Sequence, residues 1–201
     1  MPMREFEAYP LTPDRWDDFV TLFGPSGACY GCWCTYFRLP RAERDLLDAG
    51  EKKDHIRKRI EAGPPPGIIG YVEGQPAAWV QVGPRSDVPQ WNSPRTVSRP
   101  LEPEDAGDDG VWGVSCFFIG RRHRGKGNSH RILAAAVDFA RASGARLIEG
   151  CPIENAKTSQ SLGLYVGSAA VFKAAGFVEV ALRKAGRPLM RLSLAPEGVL
   201  A

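Results

Sequence analysis

The segment VWGVSCFFIGRRHRGKGNSHRILAAAVDFARA, residues 111–142, narrows the possible folds more than any other part of the chain. VWGVSCFFI (111–119) reads as a strong apolar strand. From Asn128 to about Ser143, Ile132, Leu133, Ala136, Val137 and Ala140 recur on one face of a predicted helix. Between strand and helix lies Arg122-His123-Arg124-Gly125-Lys126-Gly127. A glycine-rich turn that opens a helix leaves the first helical N–H groups unpaired and pointing outward. Those donors and the positive end of the helix dipole suit a phosphate or pyrophosphate. Glycine at 125 and 127 lets the backbone approach such an anion closely, and Arg122, Arg124 and Lys126 add local positive charge.

The remaining chain supplies elements on both sides of this crossover. Residues 4–9 read as a short strand, and Thr12-Pro13-Asp14 opens a helix that carries Trp16, Phe19, Val20 and Phe23 and stops at Gly24-Pro25. Arg41 to Ala62 reads as one or two charged surface helices. GIIGYVEGQPAAWVQVG forms a hairpin about Glu73-Gly74-Gln75. Residues 84–110 carry no periodicity and read as a long loop, of a length that favours a lid or pocket wall. RLIEGCP is a further strand, residues 169–175 a short helix closed by Gly176, and 177–182 with 189–194 a final strand pair. The pattern is mixed α/β, with hairpins at both ends and one strand–loop–helix crossover in the middle.

Three anion-binding motifs compete for the turn. A P-loop needs G-x-x-x-x-G-K-[ST], a spacing absent here. A dinucleotide fingerprint needs a third glycine where His130 stands. R-x-x-G-x-G at the start of a helix is instead the coenzyme A pyrophosphate signature of the GNAT acyltransferases, and the chain resembles that family over most of its length. FFIGRRHRGKGNSHRIL looks like the family's fourth strand, pyrophosphate loop and third helix, and VFKAAGFVEV is similar to its closing helix and turn, usually written Y-E-K-x-G-F.

The resemblance implies a single domain over residues 1–201. Its expected fold is a mixed, mostly antiparallel central sheet of about six to seven strands, with helices on both faces and a V-shaped splay between strands 4 and 5. It also implies an N-acetyltransferase that takes an acetyl group from acetyl-CoA, without a metal, and passes it to an amine by direct attack in a ternary complex. Backbone groups of Phe117, Phe118 and Ile119 would then pair with the pantetheine arm, and the amides of Arg124, Gly125, Lys126, Gly127, Asn128 and Ser129 would hold the pyrophosphate. A fixed N–H beside the thioester carbonyl would stabilise the oxyanion formed on attack. The sequence departs from the family at Phe172, where many members carry a tyrosine that protonates the leaving thiolate. Tyr165 is the nearest substitute as general acid, with loop packing as its alternative role. Glu149 is the candidate base or amine-binding residue, because an acid within an apolar strand needs a reason; a solvated strand-end carboxylate is the alternative.

Cys29, Cys32 and Cys34 offer only one C-x-x-C pair, whereas structural zinc normally uses two, and interleaved aromatics favour a packed pocket wall or core. Five cysteines, an odd number, fit reduced thiols better than a disulfide framework. A net charge of +3 gives no basis for nucleic-acid binding. No apolar run is long enough to span a membrane, so the expected setting is the cytoplasm. The expected acceptor is a small-molecule amine, because the 84–110 loop and the aromatic 29–37 segment suggest an enclosed pocket. A catalytically silent domain that senses acyl-CoA is the competing class, and Phe172 is the feature in its favour. Oligomeric state stays open, a homodimer being one option.

Overall fold

Central strands buried on both faces organise the molecule. The computed structural model describes residues 5–28, 31–154 and 165–194. Seven strands form one sheet: β1 (Phe6–Pro10), β2 (Gly67–Val72), β3 (Gln75–Pro84), β4 (Val111–Ile119), β5 (Leu147–Gly150), β6 (Val178–Leu182) and β7 (Pro188–Ser193). Their spatial order is β1-β2-β3-β4-β5-β7-β6, with β4 and β5 parallel and every other neighbouring pair antiparallel. This is the mixed, mostly antiparallel sheet the sequence led us to expect. Successive side chains on a strand point to opposite faces. Ile68, Ala78, Val80 and Val82 therefore pack with α4 (Asn128–Ala142) and α5 (Ala169–Ala174) on one face. Ile69, Tyr71 and Trp79 pack on the other with α1 (Trp16–Phe23) and α3 (Ala49–Ala62).

The helix ends follow local chemistry. Gly24 closes α1 at a φ of 73°, a conformation that favours glycine. The 41–62 segment divides into α2 (Arg41–Leu46) and α3. Asp48 starts α3 with a capping box: its carboxylate accepts from the Glu51 amide at 2.8 Å, and the Glu51 carboxylate accepts from the Asp48 amide at 2.8 Å. Among the described residues no helix is long and apolar enough to cross a membrane.

Two features position the site. First, β4 pairs with β5 only from Val111 to Val114. At Ser115 the register with β3 shifts, so that Gln81 faces Cys116 while Val82 faces Val114. An extra residue of this kind bends a strand and sharpens its twist. Beyond the bulge, Cys116–Ile119 pair with β3 on one edge and have no described strand on the other. The expected splay of strands 4 and 5 thus begins at a bulge.

Second, residues 84–110 are more ordered than their lack of periodicity suggested. Short 3-10 turns at Arg85–Asp87, Pro89–Asn92 and Pro103–Ala106 fold the segment into a strap across the sheet. Trp91 and Arg85 are almost fully buried in it. Hydrophobic periodicity cannot report such a segment, because its turns are too short to repeat.

Candidate active site

The turn into α4 has the geometry expected of an anion cradle. Gly125 and Gly127 adopt φ values of 69° and 76°, and Gly127 caps the helix in the left-handed conformation. A Cβ at either position would meet nothing within 4 Å, so the backbone angle requires glycine and the space before the turn stays open. The first helical hydrogen bonds are donated by His130 and Arg131, both to the Gly127 carbonyl, at 3.1 and 3.4 Å. The Asn128 and Ser129 amides precede them, as the leading donors of any helix must. The Asn128 side chain is buried and donates to the His123 carbonyl at 2.9 Å, which ties the turn to the helix start. Arg124 donates to the Ile119 carbonyl at 2.9 Å and Lys126 to the Arg122 carbonyl at 2.6 Å. These bonds brace the loop and leave both positive charges at the surface.

Phe117, Phe118 and Ile119 lie on the splayed half of β4. Phe118 packs at 4.8 Å between ring centroids on Phe23, towards α1. Phe117 faces α5, where the fully buried Phe172 meets it edge-on at 5.8 Å. A Cβ on Gly150 would come within 2.1 Å of the Phe172 ring, so β5 touches that ring through bare backbone. Phe172 therefore fills the base of the gap between β4 and β5 as packing, with no proton to offer.

A cavity of about 330 Å³ lies under the strap. Tyr36 and Phe37 form one part of its lining, Trp91, Ser93 and Thr96 to Ser98 of the strap another, and Tyr165 and Arg187 join them. Tyr165 sits 6.0 Å from Tyr36 and 6.4 Å from Phe37 between ring centroids. Burial pushes its phenol above the usual tyrosine value; Tyr36 adds to the rise, nearby Arg187 opposes it, and Cys116 and Cys32 contribute smaller increases. Tyr165 thus lines the cavity against Tyr36 and Phe37, and it keeps its proton at neutral pH.

Glu149 lies in a different environment. Its side chain is fully buried, and Arg85 Nη1, equally buried, donates to Oε2 in a close ion pair. Arg191 Nε donates to Oε1 at 2.8 Å, and Arg191 Nη2 reaches Asp105 at 2.9 Å. Arg85 also donates to the Ser98 carbonyl at 2.5 Å and to Asn92 Oδ1 at 3.0 Å, and its guanidinium lies 4.4 Å over the Trp91 ring. The carboxylate on β5 thereby anchors the strap that walls the cavity. Burial penalises the Arg85 charge, while Glu149 supports it.

Cys34 is buried and its sulfur accepts from Trp79 Nε1 at 3.0 Å, and Trp33 stacks on Phe23 at 5.5 Å. Cys32 is half-buried, and burial holds its thiol above the usual range. Cys29 and residues 155–164 lie outside the described residues. Among the described residues no three His, Cys, Asp or Glu side chains are arranged to hold a metal.

Arg85, Asp105, Arg187 and Arg191 escaped the sequence reading. Each acts through a partner far along the chain: 64 residues separate Arg85 from Glu149, and 86 separate Asp105 from Arg191. The one available signal was Glu149 itself, a charge in an apolar strand that demanded a counter-charge.

Comparison with known proteins agrees with this architecture. The family model of the acetyltransferase (GNAT) family matches residues 31–167. No curated protein sequence matches the chain. Among solved structures, an acetyltransferase of the GNAT family from Listeria monocytogenes superposes with a TM-score of 0.54 at 16% identity, covering 94% of this chain and 95% of its own. The Salmonella typhimurium protein yncA, solved with its cofactor acetyl-CoA, gives 0.52 at 14% identity, with 96% of each chain covered. The ribosomal-protein-S18-alanine N-acetyltransferase of Escherichia coli gives 0.53 at 10% identity, with 98% and 99% covered. At these identities the structures establish a shared fold. With the splayed strand, the shared fold and the matching family model in agreement, the chain belongs to the GNAT acetyltransferase family and is an enzyme of that class.

Proposed function

We propose that this enzyme transfers an acetyl group from acetyl-CoA to an amine on a small molecule, as a single acyltransferase domain working in the cytoplasm. The observation that carries the reading is the arrangement along β4. Its edge without a described partner begins at the Ser115 bulge, its far end leads into the Gly125–Gly127 turn, and Tyr165 lines a cavity of small-molecule size. When bound, acetyl-CoA supplies an activated acyl carbon. Its pyrophosphate suits the amides of Arg124, Gly125, Lys126, Gly127, Asn128 and Ser129, where open space and positive φ leave room for an anion. On the edge of β4 away from β3, the backbone groups of Phe117 and Ile119 suit the amides of the pantetheine arm, in the manner of strand addition, while Phe118 between them turns its own N–H and C=O towards β3.

The acceptor nitrogen attacks from the cavity, whose walls include the strap and the Tyr36–Phe37 pair. Tyr165 carries a proton at Oη that it can hand to a leaving thiolate. Glu149, with a guanidinium on each oxygen, serves in this reading as the anchor of the strap, and the amine sheds its proton to water at the cavity mouth. The acetyltransferase family match and an intact cradle favour catalysis over the silent sensor.

The test is Gly127→Val. A β-branched side chain is strained at a φ of 76° and would stand in the open space before the turn. Calorimetry should show acetyl-CoA affinity falling by about 100-fold or more in a folded variant, the scale of losing two charge-assisted hydrogen bonds. Unchanged affinity in a folded variant would remove the donor assignment.

A further inference from the structure

The charge of the cavity restricts what it can admit. Arg41, Arg44 and Arg187 line it, and no acidic side chain does among the described residues. Among the described residues Asp45 is the one carboxylate within ion-pairing distance of the first two: it accepts from Arg41 at 3.1 Å and lies 3.8 Å from Arg44. Arg44 is otherwise engaged with neutral groups, donating to the Tyr36 carbonyl at 2.9 Å and lying 4.3 Å over the Tyr36 ring. Arg187 is half-buried, and its described hydrogen bonds go to the carbonyls of Pro152 at 3.2 Å and Cys151 at 3.0 Å.

A further cation outside the cavity lining holds the strap in the same manner. Arg183, near the other end of the β6–β7 turn, donates to the carbonyls of Val97, Arg99 and Pro100 in the strap. No described carboxylate lies within ion-pairing distance of Arg183 or Arg187. Backbone carbonyls fix a guanidinium in place while leaving its charge uncompensated. A guanidinium held in place by carbonyls, with no described carboxylate against it, is a preorganised site for an oxyanion, which it can meet with paired N–H donors.

We infer that the acceptor is a small amine that also carries an oxyanion, a carboxylate or a phosphate, seated against Arg187, with Arg44 as a further cation in the lining. The inference rests on the acetyl transfer proposed above and names the chemical class of its acceptor. Arg187 and Tyr165 line the same cavity of about 330 Å³. The anionic and reacting ends of the ligand are therefore a few bonds apart, as in an amino acid or a short aminoalkyl phosphate. A cavity of about 330 Å³ accommodates molecules of that size. Trp91, Tyr36 and Phe37 would cover the carbon skeleton.

Matched pairs of amines test this on the unmodified enzyme. Each pair shares one amine and differs in charge: an amino acid against its amide, and an aminoalkyl phosphate against the amino alcohol. Thiol release from acetyl-CoA gives kcat and KM, and calorimetry gives direct binding with and without CoA. We expect kcat/KM to favour the anionic member of at least one pair by about tenfold or more, the scale of one charge-assisted hydrogen bond. The carboxylate and phosphate arms identify which oxyanion the site prefers. Arg187→Gln should erase most of that preference through KM, and Arg187→Lys should restore part of it, because a point charge replaces the fork.

Equal use of charged and neutral partners would overturn the inference, as would a preference that survives intact in a folded Arg187→Gln. Should Arg187→Gln fail to fold, the pairs on the unmodified enzyme and Arg44→Gln still decide. If anionic amines bind through Arg187 yet no thiol is released, the oxyanion site stands and the proposed transfer falls. If amines are acetylated without regard to charge, the transfer stands and the oxyanion site falls.

Discussion

Replacing Glu149 by glutamine separates a structural carboxylate from a catalytic one. The change keeps the side chain's shape and removes one negative charge from a cluster of two guanidiniums and two carboxylates. Arg191 retains Asp105 at 2.9 Å, whereas Arg85, fully buried, keeps only the neutral acceptors Ser98 and Asn92. The new amide can offer its oxygen to one guanidinium, but its NH2 must then face the other, donor against donor. Removing one partner of a buried pair costs about 3–5 kcal/mol, mostly because the remaining charge is stranded. Against a total stability of roughly 5–15 kcal/mol that is a large fraction. For a chain of this size it corresponds to a fall in Tm of about 6–20 °C.

Circular dichroism melts of the wild type and Glu149→Gln measure this directly. Arg85→Met with Glu149→Leu supplies the control, since exchanging a whole buried pair for apolar residues is often nearly neutral. We expect the double variant to melt above Glu149→Gln. Initial rates taken well below both transitions should show a raised acceptor KM, because Trp91 and Ser98 of the strap lose their anchor. A Glu149→Gln protein that melts within about 2 °C of the wild type would refute the stranded-charge argument. If that protein also lost kcat together with the acidic limb of its pH–rate profile, Glu149 would be the general base.

The other predictions concern two tyrosines. Tyr165→Phe should lower kcat by about 100-fold, the usual scale for a lost general acid, with little change in donor affinity by calorimetry. Because burial raises the phenol's pKa, wild-type kcat should hold through the ordinary tyrosine value of 10.0 and fall only above it; near-normal turnover in the variant would leave Tyr165 a packing residue. Tyr71 donates to Asp18 at 2.7 Å, and its pKa is pushed up to about 12, first by burial and then by Asp18. A folded-state pKa above the unfolded value of 10.0 means that the bond's stabilisation is complete below that pH and is lost as pH rises towards 12. Urea unfolding of Tyr71→Phe should show a loss of about 1 kcal/mol at neutral pH and a flatter alkaline limb, and an unchanged slope would show that the titration lies elsewhere.

What the sequence alone determined is local in character. Gly125 and Gly127 announced a turn whose φ values of 69° and 76° ordinary residues avoid. The spacing from Ile132 to Ala140 described the buried face of α4 one turn at a time. The run from Val111 to Ile119 marked a strand before any partner was known. These features were readable because turn chemistry and the period of burial act within a few residues.

The tertiary structure decided the rest. It placed β7 between β5 and β6, set the splay at Ser115, and gave Glu149 its two guanidiniums. It brought Tyr36, Trp91, Tyr165 and Arg187, from four separate segments, to one cavity. Sequence spacing carries no record of such meetings. A buried charge must find a counter-charge, but burial does not specify where along the chain the partner lies. Glu149 could thus be recognised as a residue in need of an explanation, and only folding could bring Arg85 across 64 residues to supply it.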